Sequence, residues 1–99
     1  MHIVEFQEMM RRLFFHKDSK RGVKGTYEWL VDEVEELGAA LDHGNMDEAK
    51  QEFADVIAWL ASLANVTNID LEQAVLAKYH SVCPRCKSSP CMCSSVRRG

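Results

Sequence analysis

The chain has 99 residues, 46% of them hydrophobic and 27% charged, which bounds it to one compact domain with little left for a second. Its net charge of −3 hides an imbalance, because residues 28–55 hold ten acids and Lys50 as their single base. That balance excludes a disordered acidic tail and a collagen-like fibre, and so dense an acidic segment repels nucleic acid unless divalent cations neutralise it.

The start of the chain, Met1 to Glu8, has no basic and apolar run of the secretory kind, so a cytoplasmic protein with reduced thiols is expected. Segment 3–15 carries Phe6, Met9, Met10, Leu13 and Phe14 at helical spacing. Segment 17–25, KDSKRGVKG, reads as a basic loop, after which Thr26 is placed to cap a second helix running to about His43. Gly44-Asn45 closes that helix, and a third starts near Met46-Asp47 and ends at about Val66. Its apolar stretch is broken by Asp55, Ser62 and Asn65 and is shorter than the ~20 residues of a membrane span, so no membrane is expected. Asp70 opens a short fourth helix through about His80. The expected fold is all-α: a compact bundle of about four helices over 1–82, with a Cys-rich tail over 83–99. A core this small favours oligomerisation.

The two central helices each bring a pair of carboxylates beside an apolar stripe. With Leu30 at 0° and ~100° per residue, Val34, Leu37 and Leu41 form the stripe of the first. Glu33 lies about 60° to one side of it and Glu36 a further 60° round. In the next helix the stripe is Phe53, Val56, Ile57, Leu60 and Ala64, and Glu52, Asp55 and Trp59 share one flank. Like charges three residues apart repel, and one E-x-x-E alone is most often a solvated face. Two flank-matched pairs offer four hard oxygen ligands, a set that suits Mg²⁺ or Mn²⁺.

At these residues the chain resembles the MazG family of nucleoside triphosphate pyrophosphohydrolases, all-α enzymes whose signature is E-E-x-x-E, a spacer and E-x-x-D. Here the signature reads Asp32-Glu33-Val34-Glu35-Glu36, fifteen intervening residues, then Glu52-Phe53-Ala54-Asp55, with Asp32 departing from the first Glu. The resemblance covers roughly residues 5–80. It implies a Mg²⁺-dependent homodimer or homotetramer that cleaves a nucleoside triphosphate to monophosphate and pyrophosphate. It also makes Glu33, Glu36, Glu52 and Asp55 the metal ligands and catalytic carboxylates. Positive charge for the pyrophosphate is available from Lys17, Lys20, Arg21 and Lys24 and from Lys78, each of which also fits an ordinary solvated surface. Trp59 either stacks on the base or fills the core. Gln7, His16 and Asn65 are further base or sugar contacts by position.

A related class, phosphoribosyl-ATP pyrophosphatase, has similar carboxylates but resembles D-x-x-Y-H after its last acid, where this chain has Asp55-Val-Ile-Ala-Trp59. The tail reads Cys83-Pro84-Arg85-Cys86 and then Cys91-Met92-Cys93. Four thiolates suit structural Zn²⁺, with His80 in reserve, whereas two disulfides or a tail of free thiols are the alternatives. A non-enzymatic zinc-knuckle adaptor is the competing function, and it leaves the carboxylate pairs without a use.

Overall fold

A computed structural model describes residues 1–94; residues 95–99 of the Cys-rich tail lie outside them. Among the described residues every regular element is helical: α1 Ile3–Asp42, α2 Met46–Val66 and α3 Leu71–Lys78. No helix there is long and apolar enough to cross a membrane.

The sequence pattern suggested four helices, and the first two are one element. Forty residues of straight helix would span ~60 Å, yet the longest dimension of the molecule is 43 Å. The bend is at Gly22, whose φ of 82° and ψ of −178° are the non-helical values inside α1. The basic loop expected over 17–25 is therefore helix on both sides of a single residue. Its lysines and arginine are good helix formers, and one glycine absorbs the whole break. Thr26 is not a cap. It is fully buried inside the second arm of α1, where its Oγ1 lies 3.5 Å from Arg21 Nη1.

The other boundaries follow their local chemistry. Gly44, at φ 68°, turns the chain out of α1, and the Asn45 side chain accepts the Glu48 N–H at 3.1 Å to start α2. Asp70 caps α3 in the same way through the Gln73 N–H, 3.0 Å away.

Helices α1 and α2 pack as an antiparallel pair, with α3 resting on the first arm of α1. Gln7 locks that corner, donating to Asn65 Oδ1 and the Ile69 carbonyl and accepting the Leu71 N–H. Asn65 returns a bond to the Gln7 carbonyl, and both side chains are buried. The polar side-chain atoms of these two residues are thus engaged in holding the tertiary structure together.

Among the described residues the buried apolar ones are Met10, Ala40, Ala49, Ala61 and Ala64. The large side chains expected inside stay substantially outside, with Phe53 57%, Ile57 49% and Val34 49% exposed. Across the seam, Thr26, Leu30, Glu33, Leu37 and Ala40 of α1 form the covered row, and Ala49, Glu52, Val56, Trp59 and Leu63 form that of α2. The row on α1 is rotated by about 50° from the apolar stripe read off the sequence. Alanines at the hairpin end, Ala40 and Ala49, let the helices approach closely there.

Candidate metal centre

The rotation of the seam decides the site. Glu33 and Glu52 do not stand beside the packed face; they are members of it, one from each helix. Glu36, one turn on from Glu33, lies at the exposed edge. Carboxylate oxygens of Glu33, Glu36 and Glu52 all lie within 4.8 Å of one another. Asp55 is exposed and stands outside that group of three.

Two of these oxygens are without partners. Glu33 Oε2 and Glu52 Oε2 are buried and accept no hydrogen bond. A buried acceptor left unpaired costs about 1–3 kcal/mol, and more when charged. Burial pushes the Glu33 carboxyl up to about 7, and the neighbouring carboxylates of Glu36 and Glu52, with their negative charge, push in the same direction. The cluster is therefore costly as it stands. Hard, closely spaced and anionic, its oxygens form the donor set that a divalent cation of the Mg²⁺ or Mn²⁺ kind requires.

Aromatic rings flank the seam on the side of the α1 bend. Trp29, four residues before Glu33, stacks on Trp59, four residues after Asp55, at 5.5 Å between centroids and 11° between planes. The Arg21 guanidinium sits 4.7 Å from the Trp59 ring centroid. Arg21 also pairs with Asp18 at 2.7 Å, and Asp18 is 2% exposed with its Oδ2 unpartnered. Gly25 makes this arrangement possible, since a Cβ there would meet Arg21 Cγ at 2.7 Å.

Arg21 is thus turned inward and is not part of a solvated loop. Trp59 is a half-buried seam residue, so the core reading of it accounts for its packing. The half-exposed Trp29 carries no mark in the motif itself, although its distance from Glu33 mirrors that of Trp59 from Asp55. Asp18 was missed for a simpler reason: an acid among four bases reads as loop until its burial is known.

The remaining basic candidates stay at the surface. Among the described residues the ion pairs are Arg11 with Glu8 and Arg21 with Asp18, so Lys24 and Lys78 have no carboxylate partner. The Lys78 ammonium lies 5.5 Å from the Tyr79 ring centroid. Lys17, Lys20, Lys24 and His16 are exposed.

In the tail, Cys83, Cys86, Cys91 and Cys93 converge, with sulfur atoms all within 4.8 Å of one another. His80 is not among them; its Nε2 is 3.2 Å from the Ala77 carbonyl oxygen.

Comparison with curated proteins yields no match. The family model of the MazG nucleotide pyrophosphohydrolase domain does match, over residues 21–87. That span starts at the α1 bend, contains both carboxylate pairs and both tryptophans, and stops between Cys86 and Cys91. By this match over well more than half of its length, the chain belongs to the MazG nucleotide pyrophosphohydrolase family.

Proposed function

We propose that the protein hydrolyses nucleoside triphosphates at the α–β phosphate bond, with Mg²⁺ or Mn²⁺ held by Glu33, Glu36 and Glu52. The observation that carries this reading is the pair of buried, unpartnered carboxylate oxygens in the α1–α2 seam. A helix pair selected only for stability would place apolar side chains there, because a buried like-charged pair destabilises the metal-free fold. Asp55 supplies the fourth carboxylate, at the solvent edge one turn from Glu52.

A divalent cation at this site would neutralise phosphate oxygens and polarise a water for attack. The water oxygen bonds to the α-phosphorus, the bridging P–O bond to the β-phosphate breaks, and pyrophosphate leaves. The water's proton passes to whichever carboxylate is not fully engaged. Lys24 and Lys78, cationic and without carboxylate partners, draw the triphosphate by long-range attraction. The Trp29–Trp59 stack offers the base an aromatic surface beside the carboxylates.

Two copies or more complete the assembly in this reading. Phe53, Ile57 and Val34 each leave about half of their side chains outside, which forgoes on the order of 1 kcal/mol apiece. A homodimer or homotetramer recovers that burial.

Chromatography of a nucleoside triphosphate incubated with the protein and Mg²⁺ tests the activity. Monophosphate and pyrophosphate are the expected products, and none should form in the presence of a chelator. Diphosphate with orthophosphate would place the attack at the γ-phosphorus and overturn the reading.

A further inference from the structure

The geometry points to a structural Zn²⁺ site in the C-terminal tail, with Cys83, Cys86, Cys91 and Cys93 as its four ligands. The proposal is independent of the pyrophosphohydrolase reading and of the carboxylate cluster. Four features of the segment support it.

The first is the spacing of the sulfurs. Zinc–thiolate bonds of about 2.3 Å in a tetrahedron put neighbouring sulfurs ~3.8 Å apart. Here Cys83 Sγ and Cys93 Sγ are 3.8 Å apart, and Cys86 Sγ and Cys91 Sγ are 4.0 Å apart. Both separations are far beyond the ~2.05 Å of a disulfide, and all four cysteines are free thiols. The two half-sites thus interleave, each giving one sulfur to either contact.

The second is the backbone around the sulfurs. The Met92 N–H points at Cys86 Sγ over 3.3 Å, and the Cys93 N–H at Cys91 Sγ over 3.4 Å. Such N–H donors stabilise negative charge on sulfur, as second-shell groups around metal thiolates do. The Lys87 N–H donates to the Cys83 carbonyl at 2.8 Å, and the Cys83 N–H to the Ser88 carbonyl at 2.9 Å. Together these bonds fold the first pair into a tight knuckle.

The third is strain. Lys87 closes that knuckle at φ 63°, a left-handed conformation that costs a residue with a Cβ on the order of 1 kcal/mol. Such a conformation persists only where the surroundings over-determine it. The side chains nearby cannot do so, since Met92 is 74% exposed and Val82 lies at the surface. Metal–thiolate bonds are strong enough to impose it.

The fourth is charge. Zinc with four thiolates carries two net negative charges, and the segment from Cys83 to Cys93 contains Arg85 and Lys87 and no acid. The site is close to neutral as a whole. With its tetrahedral shell filled by protein, it has no open position for water, so its part is to order the tail and not to catalyse.

The test uses the full chain purified without chelator. One zinc per chain by elemental analysis is expected, and replacement by Co²⁺ should give the visible absorption of a tetrahedral tetrathiolate. Bound zinc should also protect all four cysteines from alkylation, read by mass spectrometry on the unmodified sequence. The Cys91→Ser/Cys93→Ser variant should lose the metal while retaining its helical circular dichroism. Zinc well below one per chain with all four thiols alkylated at once would overturn the proposal. So would two disulfides in the purified protein, or zinc kept by the double variant, which would locate the metal elsewhere.

Discussion

Glu33 concentrates the tension of the site in one side chain. Its carboxyl is raised from the ordinary value of 4.5 to about 7 in the folded chain, while the unfolded chain retains the ordinary value. Between those two pH values the folded state binds the extra proton, so metal-free stability falls as pH rises through that window and is level above it. Gln mimics the protonated carboxyl. The thermal midpoint of Glu33→Gln, measured with chelator present, should match that of the wild type near pH 4.5 and exceed it increasingly up to pH 7. Addition of Mg²⁺ should close the gap from the wild-type side. A difference that stays constant across this range would show that Glu33 is not the strained group. The same substitution should reduce metal-dependent turnover by on the order of 100-fold or more, since even outer-shell groups at metal sites are worth 10- to 100-fold. Stability gained and activity lost together are the signature of a functional residue in a packing position.

Helix α1 owes its shape to Gly22. Straight, it would carry Gln7 away from α2; bent, it folds its first arm onto Asn65 of α2 and onto Leu71 and Glu72 of α3. A Cβ at Gly22 would meet nothing within 4 Å, so space is not the reason for glycine there. The backbone is, because φ of 82° is strained for any residue with a Cβ. Gly22→Ala is accordingly expected to destabilise the protein by about 1–3 kcal/mol in urea unfolding, whereas Gly38→Ala, at a helical residue with open space, should be neutral or stabilising. Equal effects at the two sites would contradict a backbone origin for the bend. The helical character of α1, α2 and α3, the break at Gly44-Asn45 and the opening of α3 at Asp70 are legible from spacing and side-chain type, whereas the capping role of Asn45 is not. Nor is the continuity of α1. Residues 17–25 combine good helix formers with two glycines, and nothing local distinguishes the glycine that breaks helical geometry from the one that makes room for Arg21.

The whole molecule presents too little buried surface for its apolar content. Among the described residues the buried hydrophobic ones are Met10 and four alanines, while Phe53, Ile57 and Leu60 remain exposed along α2. Sedimentation or light scattering should find a dimer or tetramer, and Phe53→Glu or Ile57→Glu should shift it toward monomer by placing a charge in the interface. A monomeric wild type at micromolar concentration would leave those side chains unexplained. The helical class and the family signature could be read from the chain alone, because each depends on local spacing. Packing of the helices places Glu33 and Glu52 inside the seam, leaves Asp55 apart from them and stacks Trp29 on Trp59. It likewise lets Gln7 and Asn65 hold each other. The physical reason is that a helix's apolar stripe sums every surface it covers, its neighbour in the chain and any further partner alike. Sequence reports the sum, and packing divides it: here Thr26, Glu33 and Ala40 went to the neighbour, and Val34 and Leu41 stayed outside.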